Sequence, residues 1–430
     1  MRIAFLVGDF PVLSETFIVN KITGLMERGH QVDIYGHCPE NLSKVHPNVE
    51  KFKLISHTYY QPKLPRNYFW RFLKALWLIL VNFHKSPLLL WRSLNFLQYG
   101  RRASSLRLLY SVIPFLNKRE PYDIIHGQFG CYGVDGMILR EIGAIEGKLV
   151  TSFRGSDISK YIQKNGERVY DELFIKGDLF LANCEFFRKK AIKLGCPPEK
   201  ISVQGSGIDC AAFPFCPRHI QPNEIIRLVT VGRLVEKKGI EYSIRAVAKI
   251  ADIYPNIEYQ VIGNGHLREY LEQLIKSLNV TDKIQLVGWK NQTEIVEILQ
   301  RSHLFIAPSV TSTDGDQDAP VNTLKEAMLM GLPVISTYHG GIPELVQDGI
   351  SGFLVPERDD NAIAEKLIYL LQHPEIWPQL GTAGRQYVEA HYDNNKLNDQ
   401  LVRFYQQLIT NNAPITTPKP ILDSQAIKNL

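Results

Sequence analysis

The feature that most constrains this chain is an alternation of short apolar runs with amphipathic stretches, which starts, stops and then starts again. In the first half, apolar runs fall at residues 2–7, 31–36, 123–126, 148–152, 179–182 and 201–204. Stretches of helical periodicity lie between most of them, such as 17–28, which Gly29 closes. The same grammar resumes at 226–231, 258–262, 284–287, 304–306, 333–336 and 353–355. Short apolar runs alternating with helices of about 10–15 residues predict βαβ units and parallel sheets. Two such series predict an α/β chain with two doubly wound, Rossmann-like domains. Their boundary is expected in 205–223, where Cys, Pro and Gly interrupt the periodicity. Ligands of open α/β sheets bind beyond the carboxyl ends of the strands, so the expected site is a cleft between the domains.

Charge singles out one segment. The 430 residues carry a net +5, too mild a balance to imply nucleic acid. Residues 51–119 contain 13 Lys or Arg and no Asp or Glu, so the remainder of the chain carries −8. This segment includes FWRFLKALWLILVNF (69–83) and LLLWRSLNFL (88–97), with Trp70, Trp77 and Trp91. No stretch of it exceeds 10 residues without a charge. A bilayer core needs about 20 apolar residues. Interspersed cations and tryptophans instead predict helices lying on an anionic membrane surface, with packing onto the first domain as the alternative. No nucleic-acid module accompanies the charge. The six cysteines are scattered, with no CxxC, and the N-terminal residues lack a signal-peptide pattern. These features predict a cytoplasmic protein with structural thiols, peripheral on the inner face of the membrane.

The segment richest in chemistry is SVTSTDGDQDAPVNTLKEAMLMGLPVISTYHGG (309–341), which follows an apolar strand and leads into a helix. Asp318 and Glu326 bracket a loop and the first turns of that helix, whose free N–H groups and dipole suit a phosphate. Asp318 also reads as an ordinary N-cap before Ala319 and Pro320. Asp314, Asp316 and Asp318 invite a calcium loop, but its glycine and glutamate positions hold Ala319 and Lys325. In VTVGRLVEKKG (229–239), Arg233 and Lys238 stand just past a strand, as a fork and a point charge fit to neutralise a diphosphate. Gly263-Asn264-Gly265 makes a tight turn after another strand, but Arg268 breaks a dinucleotide fingerprint. In the first half, His126, Arg154 and Asp157 follow strands. The turn FPVLSETFI offers amides of Ser14, Glu15 and Thr16 to a ligand.

GRLVEKKG, VIGNG, VGW, the Asp318-x7-Glu326 loop and GLPVISTYHGGIPELVQDGISGFLV together resemble glycosyltransferase family 4. FPVLSETFI and DIIHGQFG extend the resemblance into the first half, toward the colanic-acid and exopolysaccharide subgroup. The resemblance implies a GT-B fold: an acceptor domain (1–205) interrupted by the basic insertion at about 60–119, and a nucleotide-sugar domain (206–385). A helix (386–410) crosses back, and a disordered tail (411–430) follows. It implies metal-independent, retaining transfer from a nucleotide-sugar donor, without a cofactor, to a glycan or lipid-linked acceptor. By position, Arg233 and Lys238 would hold the diphosphate, with Gly232 beside them, and Glu326 the ribose. Asp318 would lie near the donor sugar. The backbone of Ala319, Pro320, Val321, Asn322 and Thr323 would cradle phosphate, with Asn264 and Trp289 near the base. Two positions depart from the family pattern: Arg154-Gly155-Ser156-Asp157 replaces His-Gly-x-Asp, and Gln128 stands where a second histidine is frequent. An arginine does not accept a proton at neutral pH, but it clamps an anion. A sugar-nucleotide epimerase or hydrolase on the same fold, and a non-catalytic sugar-nucleotide-binding adaptor, are the alternative readings.

Overall fold

The computed structural model describes residues 1–12, 15–38, 45–117, 120–222 and 224–410. Ser14 and the 411–430 tail therefore lie outside the described residues. The first sheet contains β1 (Arg2–Asp9), β2 (Gln31–His37), β3 (Thr58–Tyr60), β4 (Ile124–Gln128), β5 (Lys148–Phe153), β6 (Leu179–Ala182) and β7 (Ile201–Val203). It is parallel throughout, in the order β3-β2-β1-β4-β5-β6-β7. The second contains β8 (Ile226–Val231), β9 (Ile257–Ile262), β10 (Ile284–Gly288), β11 (Leu304–Ala307), β12 (Val334–Thr337) and β13 (Phe353–Val355). It too is parallel, in the order β10-β9-β8-β11-β12-β13. Every residue of β4, β6, β11 and β12 is buried, as strands covered by helices on both faces must be. Strand order reverses between β1 and β4 in one sheet and between β8 and β11 in the other. Those switch points are where open α/β sheets leave a crevice.

Two segments cross between the domains side by side. The Ile208 N–H donates to the Tyr392 carbonyl (2.8 Å), and the Asn394 N–H donates to the Ile208 carbonyl (3.0 Å). The helix Trp377–His391 stays with the second domain, packed on Asn322–Leu329. The crossing helix is Asn394–Thr410, beginning later than residue 386. It lies against Thr16–Glu27 and sinks Leu401, Phe404 and Tyr405 into the first core.

β3 was not expected. Its TYY sequence is too short for a period and only half buried at the sheet edge, so the basic segment begins by completing the sheet. Four helices follow: Tyr68–Asn82, Pro87–Ser93, Phe96–Ser104 and Arg107–Val112. Among the described residues no helix is long and apolar enough to cross a membrane.

Candidate active site

The loops after β8 and β11, neighbours at the second switch point, meet through a glycine. Gly239 has φ +57°, and a Cβ there would stand 1.9 Å from the Pro308 carbonyl oxygen. Only glycine tolerates both that conformation and that approach. The approach brings the turn Glu236–Lys238 against the acidic loop. Lys238 Nζ donates to Asp318 Oδ2 at 2.8 Å. Lys237 Nζ lies 2.9 Å from Asp316 Oδ2 and 3.4 Å from Asp318 Oδ1. Ser309 Oγ donates to Asp318 Oδ2 (2.9 Å). Burial alone would raise the Asp318 carboxyl, but Lys238 and Lys237 outweigh it and hold the group well below the usual carboxylate range.

The Asp318 backbone is fixed as tightly as its side chain. Its N–H donates to His339 Nε2 (2.9 Å), and His339 Nδ1 contacts Glu357 Oε1 (2.6 Å). Because Nε2 accepts, the ring proton belongs on Nδ1, directed at the carboxylate. Gly340, at φ +52°, leaves room for the Asp318 carbonyl, which a Cβ would approach to 2.1 Å. Asp318 is not a helix cap: the cap residue of Asn322–Leu329 is Val321, and no side chain bonds the helix N-terminus. Its first turn carries no acidic residue, and Thr323 Oγ1 is buried without a partner among the described residues. Free N–H groups of that kind suit an anion. Pro320 is buried beside Gly341, and Ala319 packs against the core of the first domain.

One turn into this helix, burial pushes the Glu326 carboxyl up to about 7. Burial likewise pushes the neighbouring Lys325 amine down to about 7. Lys325 Nζ donates to the Ser206 carbonyl (2.8 Å) and to Asn322 Oδ1 (3.1 Å), and lies 4.4 Å over the Tyr392 ring. Glu326 has no ion pair or hydrogen bond of its side chain among the described residues. The same is true of Arg233, which is exposed just past β8. The stem of Lys238 runs along Gly232, 3.7 Å from where a Cβ would stand. Asn264 and Trp289 are exposed at the ends of β9 and β10, Trp289 by 54%. Their strands are joined by the Gly263 N–H donating to the Gly288 carbonyl (2.8 Å).

In the first domain the candidates separate. His126 does not offer a free nitrogen to the cleft: Nδ1 meets the Tyr405 hydroxyl (2.5 Å) and Nε2 the Ser152 hydroxyl (2.7 Å). Fully buried, it is held neutral by burial and by the charges of Lys21 and Arg154. Asp157 is likewise internal, accepting from the N–H groups of Gly130 (2.8 Å), Arg154 (2.9 Å) and Gly155 (3.0 Å). Arg154 does lie at the domain junction. Its Nη1 donates to Ser206 Oγ (2.8 Å), and burial lowers the guanidinium to about 10, still charged at neutral pH. Glu15 and Thr16 open the helix after β1, and burial raises the Glu15 carboxyl. Lys237, Lys325 and His339 were not singled out by sequence. Lys237 carries a signal in the doubled lysine of VEKKG, whereas the other two owe their roles to burial. Among the described residues no three His, Cys, Asp or Glu side chains are grouped to hold a metal ion.

Two facing parallel-sheet domains, with cations and an open helix N-terminus at the second switch point, define the GT-B class of glycosyltransferases. HepE (Alr3699) of Anabaena, in its complex with UDP, has this fold: TM-score 0.68 at 18% identity, covering 95% of this chain and all of that one. Residues 218–387 match the family model "glycosyl transferases group 1". The chain is 32% identical to the putative colanic acid biosynthesis glycosyltransferase WcaL of Salmonella typhimurium, covering 95% of this chain and all of that protein. It is 33% identical to the amylovoran biosynthesis glycosyltransferase AmsK of Erwinia amylovora, with the same coverage. The chain belongs to the glycosyl transferase group 1 family and is a glycosyltransferase.

Proposed function

We propose that this enzyme transfers a sugar, with retention of anomeric configuration and without a metal, from a nucleotide-sugar donor to a membrane-associated or lipid-linked glycan. The observation that carries the donor assignment is the pairing of Lys237 and Lys238 with Asp318, beside the uncapped helix that carries Glu326 and with Arg233 exposed just past β8. Positive charge of this density suits a departing diphosphate, and preorganised charge of this kind is commonly the largest contribution to catalysis. Lys238 pairs with Asp318, and the exposed Arg233 guanidinium, without a side-chain partner among the described residues, suits a bidentate clamp. Glu326 accepts the ribose hydroxyls, and Asn264 and Trp289 border the base. The incoming hydroxyl attacks on the face from which the diphosphate leaves and gives its proton to a phosphate oxygen. The bond from sugar to diphosphate oxygen breaks, and a new glycosidic bond forms. UDP is bound by the structural neighbour HepE, and the named relatives act in colanic acid and amylovoran biosynthesis, which supports an exopolysaccharide role here.

The acceptor reading rests on the insertion. Its first helix buries Arg71, Ala75, Leu78 and Asn82 and exposes Phe69, Trp70, Leu73, Leu76, Trp77 and Leu80. Trp91 (77% exposed) and Leu97 (87%) continue that face. An exposed apolar surface of this extent, on a segment without acidic residues, suits the inner, anionic face of a membrane. Between this insertion and the carboxyl ends of β1 and β2 lies a cavity of about 400 Å³, lined by Leu6, Tyr35, Gln61 and Tyr110 among others. It is large enough for an acceptor head group.

Incubating the full chain with a panel of nucleotide sugars and a lipid extract, and following both nucleotide release and the sugar, tests the proposal. A transferase releases nucleotide when acceptor is present. An epimerase alters the sugar and an adaptor does neither; either result would refute the reading.

A further inference from the structure

The junction between the first domain and the crossing segment buries cations that form no ion pair among the described residues. Lys21, on the helix Thr16–Glu27, is 6% exposed, and its Nζ has no hydrogen-bond partner among the described residues. Arg154, just past β5, is 9% exposed. Its Nη2 donates to Gln128 Oε1 (3.0 Å), but its Nε and the Gln128 Nε2 are buried without partners among the described residues. The two cations share a wall: the Arg154 guanidinium stacks 4.4 Å over the Phe17 ring, and Phe17 stands one turn before Lys21 on the same helix face. Lys325 adds to the same field, bonding the carbonyl of Ser206 while Arg154 bonds its hydroxyl.

The Asp157 and Glu15 carboxylates act on Arg154 through space, without touching its guanidinium among the described residues. Asp157 gives both its oxygens to backbone N–H groups, and neither it nor Glu15 forms an ion pair with Arg154 or Lys21 among the described residues. A buried cation without a direct ion pair is unfavourable, and Lys21 is pushed toward its neutral form by burial and by Arg154. A neutral sugar hydroxyl does not offset such charge, whereas an anion supplies the acceptors that unpaired donors of this kind lack. The cluster lies where β1, β4 and β5 end, at the first sheet's switch point and on the domain opposite the donor cations.

We propose that Lys21, Arg154 and Gln128 form a subsite for an anionic group, a carboxylate or a phosphate, carried by the sugar acceptor. This rests on the reading of the first domain as the acceptor half, and it makes charge on the acceptor a determinant of specificity.

The test uses the full chain with three probes, D-glucuronate, glucose 1-phosphate and neutral glucose, titrated by ligand-observed NMR and by thermal melting. At least one anionic probe is expected to bind wild type and Lys238→Ala equally, and Lys21→Met and Arg154→Gln about tenfold more weakly. Glucose is expected to show no dependence on these variants. The anion that discriminates identifies its source, a uronic acid or a sugar phosphate. Lys21→Met is expected to melt above wild type without added anion, because it removes a buried amine that has no hydrogen-bond partner among the described residues. Unchanged anion affinity in either Lys21→Met or Arg154→Gln would overturn the proposal, as would no anion binding at all. Loss of both anions in Lys238→Ala would assign them to the donor site and overturn it as well. Anion binding that depends on Lys21, in a protein that binds no nucleotide sugar, would refute the donor assignment and leave this subsite standing.

Discussion

Asp318 owes its charge to Lys237 and Lys238, and the two lysines owe their burial to Asp318, so the three residues form a single electrostatic unit. Removing different members has different consequences. Lys238→Ala leaves Lys237 on Asp318, so the fold persists while leaving-group stabilisation is lost. Transfer is expected to fall by about 100-fold or more, measured as acceptor-dependent nucleotide release. Asp318→Asn strands the Lys238 ammonium, while Lys237 keeps Asp316, and is expected to cost about 3 kcal/mol in a denaturant melt. Glu326 brings pH dependence. Its carboxyl is raised to about 7, and hydroxyl groups bond the ionised form better, so donor affinity should rise as pH increases from 6 to 8. Glu326→Gln should flatten that rise in a pH series of donor titrations. An affinity that fell with pH would contradict the assigned role.

At the scale of elements, the basic insertion shows what a sequence does and does not carry. Its charge, its tryptophans and its inability to span a bilayer were legible from residue order alone. Which stripe faces outward was not, because Tyr68–Asn82 is apolar on both sides and only packing selects Ala75 and Leu78 for the interior. β3 went unread because three half-buried residues carry no period. The strands of both sheets were legible because doubly buried strands must be continuously apolar, and the loops after β8 and β11 because their glycines and charges recur in a known motif. His126 misled for the opposite reason: a histidine after a strand looks available until Tyr405, some 280 positions away, is brought against it. The structure also refines the membrane test. Arg102 is ion-paired with Asp135 and Lys74 bonds the Lys63 carbonyl, whereas Lys85 and Arg101 are exposed. Binding to anionic vesicles should weaken with salt, and further when Lys85 and Arg101 are neutralised or Trp77 and Trp91 are replaced by serine. Equal binding to neutral vesicles at every salt concentration would count against the electrostatic contribution.

Across the whole molecule, two chain crossings and one returning helix hold the domains in register. Tyr405 anchors that helix by its hydroxyl on His126. Tyr405→Phe is expected to cost about 1–2 kcal/mol in a denaturant melt, since it leaves a buried ring nitrogen without a partner. Further contacts span the cleft: the Glu344 carboxylate accepts from the N–H groups of Glu185 and Phe186 (2.7 Å each), and Lys190 Nζ donates to Gln317 Oε1 (2.9 Å). The acidic loop that faces the donor cations is thus also the loop that touches the opposite domain. On the proposed donor reading, donor binding and domain approach would be coupled through it. The whole account turns on a cationic grip at the second switch point, and the most direct measurement is calorimetric titration of the full chain with nucleoside diphosphates. One of them should bind wild type and bind Lys238→Ala and Arg233→Ala at least about tenfold more weakly. Equal affinity in all three proteins, or no binding to wild type, would contradict it.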